Sequence, residues 1–172
     1  MSSLMLFTLI ALLHSRCFGV VSSGGPQCFT FMSHHSSCPE SWHHWGDSCY
    51  RITDSNVPWS DARDECGKLD GVLAAPSSSQ ENEFIVSLIP AGGYVWIDCN
   101  DIEEEGRWEC REGGIQVSYR NWYSTEPNNE GEEDCAIISR AVGIAEWHDV
   151  GCNWVCRVAC KLVGRPVLRI EQ

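Results

Sequence analysis

The first regular pattern along the chain is helical and begins at Pro58. Four residues of the stretch PWSDARDECGKL fall at helical spacing: Trp59, Ala62, Arg63 and Cys66. Pro58 stands at an early position and Gly67 near the end, where these residue types favour the start and the stop of a helix. The stretch therefore predicts one helix.

A second helical pattern lies in SSSQENEFIVSLI, at residues 77–89. Ser78 and Glu81 have the spacing of a capping box, in which each side chain satisfies a backbone N–H at the helix start. An apolar stripe follows: Phe84, Ile85, Leu88 and Ile89. We predict a second helix whose stripe packs into the core.

After Gly92 the pattern changes to short runs of β-branched and aromatic residues. The runs are YVWI, GRWEC, IQVSY, CAIIS, IAEWHDV and WVCRVACKLV, separated by Gly, Asn and acidic loops. Upstream, CPESWHHWGDSCYRI has two cysteines eleven apart around a Gly-Asp turn, which predicts a small disulfide-closed hairpin. Helices followed by strands imply an α+β fold, and loops this long within a compact domain tend to be functional.

The N-terminal residues have the pattern of an export signal. Residues 4–13, LMLFTLIALL, are apolar but too few to span a membrane, and small residues begin at Gly19. We predict a signal peptide at 1–22, a Ser-, Gly- and His-rich N-terminal segment at 23–37, and one domain of ordinary size. The mature protein is then expected to be secreted and extracellular, without a membrane anchor.

The charge of the chain excludes polyanionic partners. The formal net charge is −12, and −13 without Arg16 of the signal peptide, so the surface should repel nucleic acid and anionic membranes. Part of the excess lies in two clusters, Glu103–Glu105 and Glu130–Asp134. The positions of these acidic clusters therefore say more about function than the net charge does.

The densest acidic stretch is EPNNEGEEDC, residues 126–135, with five carboxylates and two amides in ten positions. Like charges this close repel one another, so the stretch is either a solvated loop or a site where a cation cancels the repulsion. Carboxylate and amide oxygens are the ligands of a hard ion such as Ca²⁺ and a poor match for zinc. Both interpretations remain open on this stretch alone.

Cysteine usage agrees with export. Eleven cysteines less Cys17 of the signal leave ten, an even number suited to five bridges in an oxidising compartment. Cys152, Cys156 and Cys160 recur every four residues, which on a helix would suit a zinc or iron–sulfur site. The valines and the tryptophan among them favour a strand with disulfides instead.

Seven short motifs together resemble the C-type lectin domain family. They are CP…W…CY at 38–50, W-x2-A-x3-C at 59–66, WI…ND at 96–101, EGRW at 105–108, NW at 121–122, EPN…EDC at 126–135, and W-x-D-x2-C-x7-C at 147–160. The resemblance spans residues 38–161, which leaves a C-terminal tail at 162–172. It implies the family's double-looped, disulfide-stabilised α+β fold, with two helices, small antiparallel sheets and long calcium-binding loops.

The resemblance also implies disulfide pairings. The family's long form joins Cys38 to Cys49, Cys66 to Cys160, and Cys135 to Cys152. Four cysteines lie outside that pattern. Cys99 and Cys110 stand where the family usually has Leu and Trp on neighbouring antiparallel strands, so a cross-strand bridge is plausible. Cys28 is then left with Cys156, and the alternative is an intermolecular bridge that makes a homodimer.

In sugar-binding members of the family, five positions hold a Ca²⁺ and a sugar. In this sequence they are Glu126, Asn128, Glu133, His148 and Asp149. The family's pattern has an Asn where this chain has His148, and imidazole is a poor Ca²⁺ ligand. The EPN order resembles binders of mannose, N-acetylglucosamine and fucose.

An auxiliary Ca²⁺ lies nearby in family members, and its carboxylate positions match Asp101, Glu105, Glu133 and Asp134, with Asn129 where an Asp is common. Glu133 would then be shared between two ions. Sharing would explain why both acidic clusters are needed.

The function implied by the resemblance is a secreted, calcium-dependent lectin that binds glycans with terminal mannose-type sugars, as in innate defence. The alternative is a protein-binding module on the same fold without sugar binding. An enzyme is not expected, because the sequence has no G-x-S-x-G, H-E-x-x-H or Gly-rich phosphate loop. Since there is no collagen repeat or heptad stalk, we expect useful avidity to come from a homodimer.

Overall fold

The computed structural model describes residues 38–140 and 145–163. The predicted signal peptide at 1–22 and N-terminal segment at 23–37 lie outside these residues, as does the predicted tail from residue 164 onward. Within this part of the chain, neither the length nor the hydropathy of any helix is sufficient for a membrane span.

Both predicted helices are present. Helix α1 runs Trp59–Gly67 with Pro58 at its N-cap position, and it buries Trp59, Ala62 and Cys66. Helix α2 runs Ser79–Leu88 after the N-cap Ser78, whose side chain accepts the Glu81 N–H at 3.2 Å. The apolar stripe of α2 faces the core, with Ile85 and the following Ile89 almost fully buried.

Nine strands are described. They are β1 His43–Trp45, β2 Ser48–Ile52, β3 Val72–Leu73, β4 Tyr94–Asn100, β5 Glu109–Glu112, β6 Ile115–Gln116, β7 Cys135–Ser139, β8 Trp147–Val150 and β9 Arg157–Val163. The predicted hairpin is β1–β2, and the runs predicted after Gly92 all contain a strand. The two-residue β3 was not predicted, because its short sequence carries no alternation.

The strands pair in the order β1-β2-β9-β4-β5-β6, with β3 on β9, and with β7 between β4 and β8. β4 and β9 run parallel, with Val95 opposite Arg157, whereas the other described strand pairs are antiparallel. The helices and this mostly antiparallel sheet confirm the α+β class. The arrangement brings the end of β4, the start of β7 and β8 side by side.

Four disulfides close the described fold. They are Cys38–Cys49, Cys66–Cys160, Cys99–Cys110 and Cys135–Cys152. Because Cys152 and Cys160 lie in different bridges, the three-thiol metal cluster is excluded. Cys156 is a buried thiol, and burial raises its pKa to about 11. Its predicted partner Cys28 lies outside the described residues.

Candidate functional site

The residues assigned to metal and sugar binding lie on three neighbouring segments. Asp101 and Glu105 follow β4, the EPN loop precedes β7, and Asp149 is on β8. The backbone N–H of Asp101 donates to the Asp134 carbonyl at 3.1 Å, which joins the first segment to the second. Asp149 stands opposite Ala136 in the β7–β8 ladder, which places the third beside them.

Three carboxylates, from Asp101, Glu105 and Asp134, gather at one point. Each offers an oxygen within 4.8 Å of the other two, and no other three His, Cys, Asp or Glu side chains of the described residues gather so closely. Asp101 is 3% exposed. Its Oδ2 accepts the Gly106 N–H at 2.8 Å, whereas its Oδ1 is buried without a hydrogen-bond partner.

The electrostatics of this trio favour a cation. Burial raises the pKa of Asp101, and the nearby charges of Asp134 and Asp149 raise it further. The pKa of Glu105 is raised by desolvation and by the Asp101 and Asp134 charges. Backbone N–H groups, chiefly that of Gly106, offset part of the effect on Asp101, and a divalent ion would relieve the repulsion that remains.

The EPN loop is held by Asp149. Asp149 Oδ2 accepts the N–H groups of Asn128 at 2.9 Å and Asn129 at 2.7 Å, while its buried Oδ1 has no partner. The Asn128 side chain donates to the Glu126 carboxylate. The Glu126–Pro127 peptide bond is cis.

The charge of Asp149 acts on both Glu126 and Glu133. Burial raises the pKa of Glu126, the adjacent Asp149 carboxylate raises it further, and His148 offsets part of the effect. The pKa of Glu133 is raised by burial and then by the Asp149 charge. These carboxylates interact, although they do not gather as closely as the trio does.

His148 lies at the edge of the EPN loop. Its Nδ1 is 3.4 Å from Glu126 Oε1, and its ring stacks on Tyr123 with centroids 5.3 Å apart and planes 22° apart. Tyr123 was not predicted from the sequence to be part of the site. The one signal for it was its position three residues before the EPN motif, where the Glu126 N–H donates to the Tyr123 carbonyl at 2.9 Å.

Glu133 lies with the EPN group rather than with the trio. Its N–H donates to Asn129 Oδ1 at 2.7 Å, and Asn129 adopts a positive φ of 50°. Asn129 therefore uses its side chain to shape the loop. The sharing of Glu133 by two ions stays a prediction.

The donor set fits calcium. The grouped carboxylates and the Asn128 amide present oxygen atoms. Ca²⁺ prefers oxygen ligands and is coordinated by about six to eight of them. Three carboxylate oxygens of the described residues are buried with no hydrogen-bond donor: Asp101 Oδ1, Asp149 Oδ1 and, away from this site, Glu112 Oε1. Buried polar atoms are seldom left so, and an ion held by each group of ligands would give the Asp101 and Asp149 oxygens a partner each.

Comparison with known proteins agrees with this arrangement. Residues 55–162 match the family model described as "Lectin C-type domain". A perlucin-like protein of Mytilus galloprovincialis is 31% identical over 151 residues, which cover 85% of this chain and 92% of that protein.

Two solved structures are also similar. The cow C-type carbohydrate-recognition domain of CD23, crystallised in the presence of a GlcNAc2Man3 oligosaccharide, is 26% identical with a TM-score of 0.66, covering 74% of this chain and 96% of its own. A calcium-independent type II antifreeze protein is 28% identical with a TM-score of 0.67, covering 76% and 98%. On its motifs, disulfides, fold and matched domain, this chain belongs to the C-type lectin domain family.

Proposed function

We propose that this protein is a secreted, calcium-dependent lectin that binds neutral glycans ending in mannose, N-acetylglucosamine or fucose. The observation that carries the proposal is the pair of buried carboxylate oxygens without donors, Asp101 Oδ1 and Asp149 Oδ1, on adjacent segments. Burying a charged oxygen without a partner costs free energy, so a cation bound beside these oxygens would stabilise the fold.

Two sets of residues would hold calcium. Asp101, Glu105 and Asp134 form the more closely gathered set. The second comprises Glu126, Asn128, Glu133 and Asp149. When bound there, the ion supplies open coordination places for two adjacent sugar hydroxyls. The Glu126 carboxylate would accept a hydrogen bond from a sugar hydroxyl, and the Asn128 amide would donate one to a hydroxyl oxygen.

Sugar binding requires these side chains to exchange partners. The Asn128 amide donates to the Glu126 carboxylate, and His148 contacts the other oxygen of Glu126. Both Glu126 and Asn128 therefore exchange a contact within the protein for one with the sugar. The net gain per contact is then modest, which agrees with the millimolar affinity expected of one shallow site.

The preference for uncharged sugars follows from the loop itself. Glu130 and Glu132 are exposed beside the site and add negative charge to its rim. Sulfated or sialylated residues would be repelled there. The order Glu126-Pro127-Asn128 supports binding of mannose-type sugars. A secreted protein that recognises such terminal sugars would suit a role in innate defence, which we include in the proposal.

A second function is favoured by His148. Where the family's sugar binders have an amide, this chain has an imidazole that contacts Glu126 and packs on Tyr123. A protein-binding module would keep calcium only to stiffen the loops. Its partner binding would be unaffected by free mannose.

The test is a glycan array probed with the purified protein in millimolar calcium and again in EDTA. We expect binding to neutral mannose-, N-acetylglucosamine- or fucose-terminated glycans that disappears with the chelator. His148→Asn, which supplies an amide oxygen, should reach half-maximal binding at a several-fold lower calcium concentration, whereas His43→Asn on β1 should not. An array with no glycan signal in calcium would reject the lectin and leave the protein-binding module.

A further inference from the structure

Trp154 is exposed in a way that the other tryptophans are not. All eight lie in the described residues, and Trp154 is the most exposed at 50%, whereas Trp96 and Trp147 are fully buried. Val155 beside it is 64% exposed. One exposed apolar residue is ordinary on a protein surface, so its meaning depends on where it lies.

The segment that carries Trp154 is fastened to the acidic loop. Cys152, two residues earlier, is bonded to Cys135, which directly follows Asp134, and their Cα atoms are 5.1 Å apart. The Trp154 N–H donates to the Gly151 carbonyl at 3.0 Å and closes a turn around the disulfide. The backbone that carries the indole is therefore held beside the acidic loop.

Gly151 shows how close the indole lies to the site. A β carbon placed on Gly151 would lie 3.8 Å from Trp154 Cδ1 and 3.8 Å from the Glu132 carbonyl oxygen. Gly151 is two residues after Asp149, and Glu132 directly precedes Glu133. The indole thus borders the site at the edge formed by the acidic loop and the end of β8.

An indole at this edge suits the apolar C–H face of a sugar ring. Tryptophan offers a large, rigid apolar surface, and ligand sites combine such surfaces with a few polar groups that fix orientation. The exposed carboxylates of Glu130 and Glu132 nearby favour an uncharged ring. Two residues are far too small a patch for a protein interface, which takes roughly 800 Å² on each partner.

We propose that Trp154 forms a second sugar-contacting position, which takes an uncharged residue of an oligosaccharide whose terminal sugar occupies the calcium site. This inference rests on the proposed lectin function. It makes Trp154 the residue that distinguishes an oligosaccharide from its terminal sugar alone.

The test compares two ligands on the same protein. The first is the monosaccharide bound best among mannose, N-acetylglucosamine and fucose, and the second is a neutral trisaccharide that ends in it. Titration calorimetry in calcium should show that Trp154→Ala weakens trisaccharide binding about tenfold, because the second sugar loses its apolar contact surface. Monosaccharide affinity should stay within about twofold, and Trp154→Phe should recover part of the loss.

The matched control is Tyr94→Ala. Tyr94 is 46% exposed and begins β4, at the end of the strand away from Asp101, so its removal should change neither affinity. A Trp154→Ala protein that binds both ligands as the unmodified protein does, or loses both equally, overturns the Trp154 proposal alone. If the unmodified protein binds none of the sugars in calcium, the lectin function fails and the second position with it.

Discussion

At the scale of single residues, Asp101 shows the cost of the candidate site without its ion. The carboxylate is 3% exposed, one oxygen has no donor, and its pKa is raised by burial and by Asp134 and Asp149. Without an ion, the folded state bears this repulsion. Residues kept for a ligand are often destabilising when the ligand is absent.

Asp101→Asn should therefore stabilise the calcium-free protein and remove its response to calcium. The amide keeps an oxygen for the Gly106 N–H while it removes the charge. We expect a gain of about 0.5–2 kcal/mol in EDTA. The unmodified protein should gain about 2.7 kcal/mol at calcium a hundredfold above Kd, and the variant much less. Thermal unfolding in EDTA and in calcium measures both.

Asp98→Asn is the control for this experiment. Asp98 is also a buried aspartate, but it accepts a salt bridge from Arg63, with Nη2 to Oδ1 at 2.6 Å. Burial raises the pKa of Asp98 and the Arg63 bonds lower it. Its substitution therefore removes a desolvation cost together with a charged bond, and it should not give the gain in EDTA that Asp101→Asn gives. The calcium response should remain. A calcium response that survives in Asp101→Asn would remove Asp101 from the ligand set.

At the scale of elements, the Cys99–Cys110 disulfide closes the loop that carries Asp101 and Glu105. The two cysteines face each other on β4 and β5, and both are fully buried. In the loop-entropy model, a bridge across a loop of this size stabilises the folded state by about 3 kcal/mol, because it restricts the unfolded chain. The same constraint holds the ends of the loop at the spacing that two ligands need.

Removing this disulfide should weaken calcium binding as well as the fold. We expect Cys99→Ala with Cys110→Ala to raise the calcium Kd about tenfold, because the loop must then be ordered by the ion itself. Calorimetric titration gives the Kd. The control is Cys38→Ala with Cys49→Ala, since that bridge has the same sequence separation of 11 and lies in the β1–β2 hairpin. Equal losses in the two double variants would make the effect one of general stability.

The elements themselves were largely predictable from the sequence. Hydrophobic periodicity and helix capping depend on residues that are close in sequence, so α1, α2 and the positions of most strands could be predicted. Where a strand begins depends on its partner: the run GRWEC predicted a strand from Gly106, but Gly106 adopts a positive φ of 76° and β5 begins at Glu109. The carboxylate trio is also non-local, since Asp134 lies about thirty residues after Asp101, and only the family resemblance joined them.

At the scale of the whole molecule, Glu81 links α2 to the distant strands β2 and β9, and through Lys161 to β5. Its Oε1 accepts the Tyr50 hydroxyl of β2 at 2.5 Å and the Lys161 ammonium of β9 at 2.8 Å, and its Oε2 accepts the Ser77 hydroxyl at 2.6 Å. Lys161 also donates to Glu112 of β5 at 2.8 Å. The sequence showed Glu81 only as a capping residue, because these partners are far along the chain.

This network makes stability depend on pH. Burial alone would raise the pKa of Glu81, but the bonds from Lys161, Ser77 and Tyr50 outweigh it and hold the pKa below its usual value. A lowered carboxyl pKa gives stability that is present above the unfolded value, about 4.3, and is lost as the pH falls through the folded one.

Glu81→Gln should cost about 1–3 kcal/mol at neutral pH, because Lys161 keeps only Glu112 as a partner charge and the bonds from Tyr50 and Ser77 lose a charged acceptor. The difference from the unmodified protein should shrink below about pH 4, where Glu81 takes up a proton and also becomes neutral. Urea unfolding at pH 7, 5 and 3 measures it. Glu83→Gln, exposed on the same helix, should change stability by less than about 0.5 kcal/mol. A Glu81 difference that is constant from pH 7 to 3 would contradict the ion pair.

The buried thiol of Cys156 gives the molecule an internal reporter of its own opening. Its N–H and carbonyl both bond to Val57 beside the start of α1, and its side chain is 6% exposed. With a pKa near 11 it stays protonated at neutral pH, so alkylating reagents should reach it only when the packing against α1 separates. The rate at which the thiol is modified then measures how often the core around Cys156 opens locally. Comparing this rate with and without calcium shows whether an ion at the candidate site slows that opening.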